Sequence, residues 1–183
     1  VIAAPSRQSP DYRYHWTRDA SLVMDVLVHL AVESDGLDRA VYLSNIQDFI
    51  LLSQRQQLEP SAQGLGEPRY LVDGSVDKTE WARPQNDGPA LRTLMILHLL
   101  KSGLIEKDPE LKALAIEVMR KDLDFVLSVW RQACFDLWEE LRGLHFYTQA
   151  VQYSALLTGS EFFRAEGDTV FSNRLHQEAL AIS

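Results

Sequence analysis

The 183 residues are enough for one packed domain with its own apolar core. Apolar residues make up 46% and charged residues 24% of the chain, which argues against a disordered tail, a coiled coil or a collagen-like fibre. The net charge of −8 excludes nucleic acid as an expected partner, because the chain would repel a phosphate backbone.

The sequence also gives no sign of a membrane span, a metal site or a cofactor. Apolar runs such as 49–52 and 94–97 are far shorter than the ~20 residues that cross a bilayer. Cys134 is the single cysteine, and no Cys/His spacing is typical of a zinc site. Because the chain starts at Val1 and a helical pattern runs to Ser183, we expect a single partial domain over 1–183, truncated at both ends.

Apolar periodicity predicts six helices and no strand. The first helix, residues 19–34, should end near Gly36 and bury one stripe of side chains: Leu22, Val23, Val26, Leu27, Leu30 and Ala31. The others are expected over 38–58, 88–103, 109–130, 147–166 and 168–183.

Proline and glycine mark the ends of the third and fourth helices. Pro89 suits a first helical turn and Gly103 a helix end. Asp108 offers a side-chain cap just before Pro109. Asp122 falls within the apolar stripe of the fourth helix, where we expect its carboxylate to bond backbone at a helix crossing.

Two connections are unusually long for a compact helical domain. Residues 59–87 span 29 positions, and residues 131–146 form another extended connection. Loops longer than ~12–15 residues are uncommon and usually functional. The chemistry of the protein is therefore expected in these loops rather than in the helices.

Three of the four tryptophans lie in connections, beside carboxylates and arginines. They are Trp16, Trp81 and Trp138. An indole can cover the apolar face of a pyranose ring, while Asp, Glu and Arg side chains bond its hydroxyls. This combination favours a carbohydrate ligand, although the tryptophans could instead fill gaps at helix ends.

An acidic tract follows the fourth helix. Asp136, Glu139 and Glu140 bring three carboxyl groups together beside Trp138. Repulsion and apolar shelter are expected to raise the pKa of at least one of them, which makes a proton donor. Glycoside hydrolysis needs such an acid and a second carboxylate. A Glu-Glu pair is also common on solvated helix starts, so this tract alone leaves both interpretations open.

Four tracts stand out in order along the chain: residues 10–19 (PDYRYHWTRD), 64–68 (GLGEP), 81–92 (WARPQNDGPALR) and 136–140 (DLWEE). Together they resemble the glucoamylases, which are family 15 glycoside hydrolases. The likeness runs from Val1 to about Thr158.

The resemblance implies an all-α fold that is part of an (α/α)6 toroid, with six inner and six outer helices and long functional loops around a pocket. It implies inverting release of glucose from the non-reducing ends of starch or maltooligosaccharides, a glucan 1,4-alpha-glucosidase activity, without metal or cofactor. By motif position Glu139 is the general acid. Asp136 is the signature's acid/base partner, although its closeness in sequence to Glu139 argues against water activation. The substrate-binding residues are Trp81, Arg18, Asp19, Tyr12, Trp16, Leu137, Trp138 and Glu140.

In this family the catalytic base lies much further along the chain. We therefore expect the C-terminal half of the domain to be missing and the 183 residues alone to be inactive. The resemblance favours a secreted protein. Two other classes stay open, a non-catalytic glucan-binding remnant of the same fold and a helical scaffold with no sugar role. The linkage is open too, since related toroids cut dextran or trehalose.

Overall fold

The structure is a computed structural model and describes residues 1–5, 8 and 11–182. Within them lie six α-helices: α1 Thr17–Glu33, α2 Gly36–Leu58, α3 Gly88–Lys101, α4 Pro109–Val129, α5 Phe146–Ala165 and α6 Thr169–Ile182. The prediction of six helices is confirmed, with ends shifted by a few residues. Pro10 of the first tract and Ser183 of the last predicted helix lie outside the described residues.

Two pairs of very short strands correct the prediction that the chain has none. Strand β1 (His15–Trp16) pairs antiparallel with β2 (Arg69–Tyr70), and β3 (Cys134–Phe135) pairs antiparallel with β4 (Arg142–Gly143). A two-residue strand is too short for any alternation of apolar and polar residues to be recognised. These pairs fasten the segment before α1 to the 59–87 loop and close a hairpin after α4.

The local signals at the helix ends mostly act as predicted. The carboxylate of Asp108 accepts a hydrogen bond from the N–H of Leu111 at 3.0 Å, and Pro109 opens α4. Gly103 follows α3 with a φ of 73°, a left-handed conformation that glycine adopts without strain. Gly36 is different, because it begins α2 instead of ending α1.

Helix α3 lies at the centre of the helical layer and contacts α1, α4 and α5. Ten of its fourteen residues are buried, so it is apolar around most of its circumference. The stripe predicted for α1 is wrong in part. Its buried apolar residues are Ala20, Met24, Val28 and Ala31, whereas the β-branched and leucine side chains of the neighbouring face are 44–55% exposed: Leu22, Val23 and Val26.

One ion pair is buried inside this layer. Asp122 accepts hydrogen bonds from Arg92 Nε at 2.7 Å and Nη2 at 2.6 Å, and from Gln57 Nε2 at 2.8 Å. Both charged residues are almost completely inaccessible to solvent. The prediction that Asp122 is a buried structural carboxylate holds, but its partners are side chains of α2 and α3, which periodicity along α4 alone does not reveal.

The long and short connections lie at opposite ends of the helices, because consecutive helices run back and forth. The short links 34–35, 102–108 and 166–168 share one end. The segment before α1 and the loops 59–87 and 130–145 share the other end. All ten predicted site residues lie at or beside this second end.

Candidate functional site

Backbone hydrogen bonds join the three loop segments into one platform. The N–H of Phe135 donates to Pro84 O at 2.8 Å, and the N–H of Thr17, at the start of α1, donates to Pro68 O at 3.0 Å. Within the 59–87 loop, the N–H of Gln85 donates to Gly66 O at 2.9 Å. Gly66 is required there, since a Cβ atom would lie 2.8 Å from Asn86 Oδ1 and 2.9 Å from the side chain of Pro84. Both long loops are therefore held at fixed positions relative to the start of α1.

A cavity of about 220 Å³ opens on this platform. Seven of the ten predicted site residues line it together with Ala3: Tyr12, Trp16, Arg18, Asp19, Leu137, Trp138 and Glu139. The other three predicted residues, Trp81, Asp136 and Glu140, do not line it. Residues from the segment before α1, from α1 itself and from the 130–145 loop thus meet at one small hollow.

Glu139 is held by hydrogen bonds to one of its two carboxyl oxygens. Its Oε1 accepts from Trp16 Nε1 at 3.0 Å and from Gln85 Nε2 at 2.9 Å. Its backbone φ is 65°, a left-handed conformation that is uncommon for residues other than glycine. Sparsely populated backbone conformations of this kind cluster at functional sites.

Arg18 determines which way the amide of Gln85 faces. Its Nη1 donates to Gln85 Oε1 and to Asp87 Oδ2, both at 2.9 Å. With its oxygen occupied by the guanidinium, the Gln85 amide presents its N–H group to Glu139. Asp87, Arg18, Gln85 and Glu139 therefore form one continuous chain of hydrogen bonds.

Charges crowd around the cavity. Burial raises the pKa of Asp19 above its ordinary value, although the charge of Arg18, 3.7 Å away, opposes the shift. Burial also disfavours the charged form of Arg18, but the charge and hydrogen bond of Asp87 outweigh it, so the pKa of Arg18 lies above its usual range. Arg18 is therefore a cation at neutral pH.

The carboxylate of Asp136 is occupied in shaping the turn that presents Glu139. Its Oδ1 accepts from the backbone N–H groups of Leu141 at 2.9 Å and Glu140 at 2.8 Å. These bonds lower the pKa of Asp136, the opposite of the shift expected from crowded carboxyl groups. The apolar shelter expected from Trp138 is absent as well, because its side chain is 76% exposed.

Trp81 packs behind the cavity. Its ring centroid lies 6.2 Å from that of Trp16 in an edge-to-face arrangement with an interplanar angle of 69°. Tyr12 and Tyr14 approach Trp16 at 6.1 and 5.8 Å. The aromatic residues of the segment before α1 and of the 59–87 loop thus form a connected cluster, with Trp16 at its centre.

Sequence reasoning gave no role to three residues that hold this site. Gln85 and Asp87 lie within the third of the four tracts, so their place in a recognisable motif was the one available signal. Arg69 contacts the rings of Tyr14, Trp16 and Trp81. No local pattern distinguishes it from any other loop arginine.

Other features of the described chain do not compete with this site. A larger open groove of about 700 Å³ lies along Tyr14, Leu71 and Thr79, and none of the ten predicted residues lines it. Within residues 1–5, 8 and 11–182, no three His, Cys, Asp or Glu side chains converge as metal ligands do. No helix in the described part of the chain combines the length and apolar character needed to cross a bilayer.

Comparison with known proteins supports the family that the four sequence tracts indicate. The family model of glycosyl hydrolases family 15 matches residues 1–183. The chain is 37% identical to a glucoamylase of Blastobotrys adeninivorans and 36% identical to glucoamylase 1 of Rhizopus oryzae. Each alignment covers 100% of this chain and 31% of the relative. The chain thus spans about a third of the length of these relatives.

Solved structures show the same fold. The glucoamylase of Saccharomycopsis fibuligera superimposes with a TM-score of 0.91 at 30% identity, covering 100% of this chain and 41% of that one. The family 15 glucoamylase of Hypocrea jecorina superimposes with a TM-score of 0.87 at 30% identity, covering 100% and 31%. Glucoamylases have an (α/α)6 toroid fold, and the six helices described above are part of such a toroid. The chain belongs to glycosyl hydrolases family 15.

Proposed function

We propose that these residues form part of the catalytic domain of a glucoamylase, which releases glucose from the non-reducing ends of starch-like glucans with inversion. One observation carries the proposal: Glu139 is fixed at the wall of a small cavity that Arg18 and Asp19 also line. Attack at a chain end is what the resemblance to the glucoamylases implies.

Glu139 acts in this proposal as the general acid. Oε1 already accepts two N–H groups, so Oε2 is the oxygen through which the acid would donate its proton. That proton passes to the glycosidic oxygen as the bond from this oxygen to the anomeric carbon breaks. Arg18 and Asp19 bind the hydroxyls of the terminal glucose, and Tyr12, Trp16, Leu137 and Trp138 surround the ring.

An inverting reaction also needs a carboxylate that takes a proton from the attacking water, about 6.5–9.5 Å from the acid. Asp136 is a poor candidate, because Oδ1 of its carboxylate binds the turn backbone and its pKa is lowered. As the resemblance to the family implies, we propose that chain outside these 183 residues supplies the base. The exposed apolar face of α1 supports this, since a further segment would bury it: Leu22, Val23 and Val26. Export from the cell remains a prediction of the family resemblance.

The test is the stereochemistry of the glucose released from maltoheptaose, followed by proton NMR, with the natural chain that contains these residues. β-Glucose should appear first and convert slowly to the equilibrium mixture. First appearance of α-glucose, or no glucose at all, would contradict the proposal. Binding of maltooligosaccharide without hydrolysis would identify the non-catalytic remnant instead.

A second measurement tests whether the catalytic base lies outside these residues. The isolated 183 residues should release little or no glucose. A chimera in which they replace the matching segment of Rhizopus oryzae glucoamylase 1 should be active. Activity of the isolated chain at the rate of the chimera would show that the base lies within these residues.

A further inference from the structure

Arg69 occupies an aromatic box behind the cavity. Its guanidinium carbon lies 3.5 Å from the ring centroid of Trp81, 4.2 Å from that of Tyr14 and 5.4 Å from that of Trp16. The side chain is almost fully buried. A cation in a desolvated site over the face of an indole is strongly attracted to the ring.

Hydrogen bonds within the 59–87 loop also hold the N–H groups of the same guanidinium. Nε donates to Asp77 Oδ2 at 2.7 Å, and Nη2 donates to Thr79 Oγ1 at 2.9 Å. Asp77 is itself held by Arg83 Nη2 at 3.2 Å, and Arg83 Nε binds Glu67 at 2.6 Å. Arg69 therefore cannot rotate without breaking its hydrogen bonds to Asp77 and Thr79.

Trp81 has no hydrogen bond from its indole to orient the ring, because the indole N–H is buried and has no hydrogen-bond partner among the described residues. Its ring carries the guanidinium of Arg69 over one face and meets Trp16 in an edge-to-face contact. Trp16 in turn donates its indole N–H to Glu139.

We infer that Arg69 is a positioning residue of the sugar site. It fixes the ring planes of Trp81 and Trp16 and, through Trp16, the carboxyl group of Glu139. The inference rests on the proposed function for its effect on catalysis, but the effect on the indoles is independent of it. A lysine would be a partial substitute, because it keeps the charge but lacks the planar group that stacks on a ring while donating within its plane.

The kinetic test compares Arg69→Met and Arg69→Lys with Arg120→Met in the natural chain. Arg120 is a matched control, since it lies 4.4 Å from the ring centroids of Phe163 and Phe171 and pairs with Asp168. At a temperature where all variants are folded, Arg69→Met should lower kcat on maltoheptaose about 10- to 100-fold, because small displacements of catalytic groups are costly. Arg69→Lys should lose less.

Arg120→Met should lose stability and keep its kcat. If Arg69→Met behaves like this control, with kcat and KM of the wild type once folded, Arg69 is a structural residue and the inference is wrong.

Indole N–H signals in NMR spectra give a readout without activity. Trp81→Phe and Trp16→Phe assign the two signals. Arg69→Met should shift or broaden both and leave Trp130 unchanged, whereas Arg131→Met should change Trp130 alone, since Arg131 lies 3.7 Å from that ring. Unchanged Trp81 and Trp16 signals in Arg69→Met would refute the positioning role. A wild type that binds but releases no glucose would refute the proposed function, and the NMR result would still decide the role of Arg69.

Discussion

The helical layer and the loop end of the molecule are both well buried, but they bury different groups. Almost every buried side chain of α3 and α4 is apolar, with Arg92 and Asp122 as the buried charged pair. The 59–87 loop buries mostly charged and amide side chains: Glu67, Arg69, Asp77, Gln85, Asn86 and Asp87. The helices therefore stabilise the fold by removing apolar surface from water, whereas the loops are held by directional hydrogen bonds that also position the site.

The largest loss of stability is expected from removing the buried negative charge of the helical layer. Asp122→Asn leaves Arg92 buried with a neutral partner, so unfolding should become easier by about 3–5 kcal/mol. The control is Glu117→Gln on the same helix, where the exposed pair with Lys121 contributes under about 1 kcal/mol. Urea denaturation of the natural chain measures both. A loss below that of Glu117→Gln would show that the buried pair is not needed.

His15 stands at the junction of the two regions and is expected to make stability depend on pH. Its ring contacts Phe49 and Tyr70, and its Nε2 is buried without a hydrogen-bond partner among the residues described. Burial is the main cause that lowers the pKa of His15 from 6.5 to about 4.

The sign follows from which state binds the proton. Between pH 6.5 and about 4 the unfolded chain protonates His15 and the folded chain does not, so stability is complete above pH 6.5 and declines as the pH falls. The full decline is about 3 kcal/mol. His15→Gln should lessen the fall between pH 7 and 4.5 in urea denaturation. His29→Gln, at an exposed position, should keep the wild-type slope, and equal slopes for all three proteins would contradict the role of His15.

Glu139→Gln should lower activity without lowering the stability of the fold. An amide keeps an oxygen for Trp16 and Gln85 but cannot donate the acidic proton, so turnover should fall about 100-fold or more. The melting temperature should stay within a degree or two of the wild type, because the contacts are preserved. Glucose release and thermal unfolding are measured on the same sample. Unchanged turnover would remove Glu139 from the role of acid.

The contrast between the two regions also explains what the sequence could predict. Helix ends were predictable because Pro109, Asp108 and Gly103 act on their own neighbours in the chain. The partners of Asp122 were not, since they lie on α2 and α3. The buried face of α1 was misassigned because its larger side chains face away from the neighbouring helices while Ala20 and Ala31 face them.

The site was predictable only as far as its motifs reach. Seven residues within the recognised tracts meet at the cavity. They were predictable from the family motifs, whereas local periodicity carries no information on which loop residues come together. Arg69 lies outside those tracts, and its role depends on rings from positions 14, 16 and 81 that come together only in the folded chain. The left-handed backbone of Glu139 was equally invisible, since it arises from the turn that Asp136 organises.

The smallest effect on stability and activity is expected at the exposed edge of the cavity. Substitutions there and behind the cavity should distinguish the roles of Trp138 and Trp81. Trp138→Ala should change stability by less than about 0.5 kcal/mol, because the side chain is mostly in solvent. It should raise KM for maltooligosaccharides by several fold with little change in kcat, as expected for one face of a sugar ring losing its apolar cover. Trp81→Ala should instead lower kcat, and by more than it lowers stability, since that ring borders Trp16, which holds Glu139. Equal kinetic losses for the two variants would mean that the loop end does not hold Trp81 for catalysis.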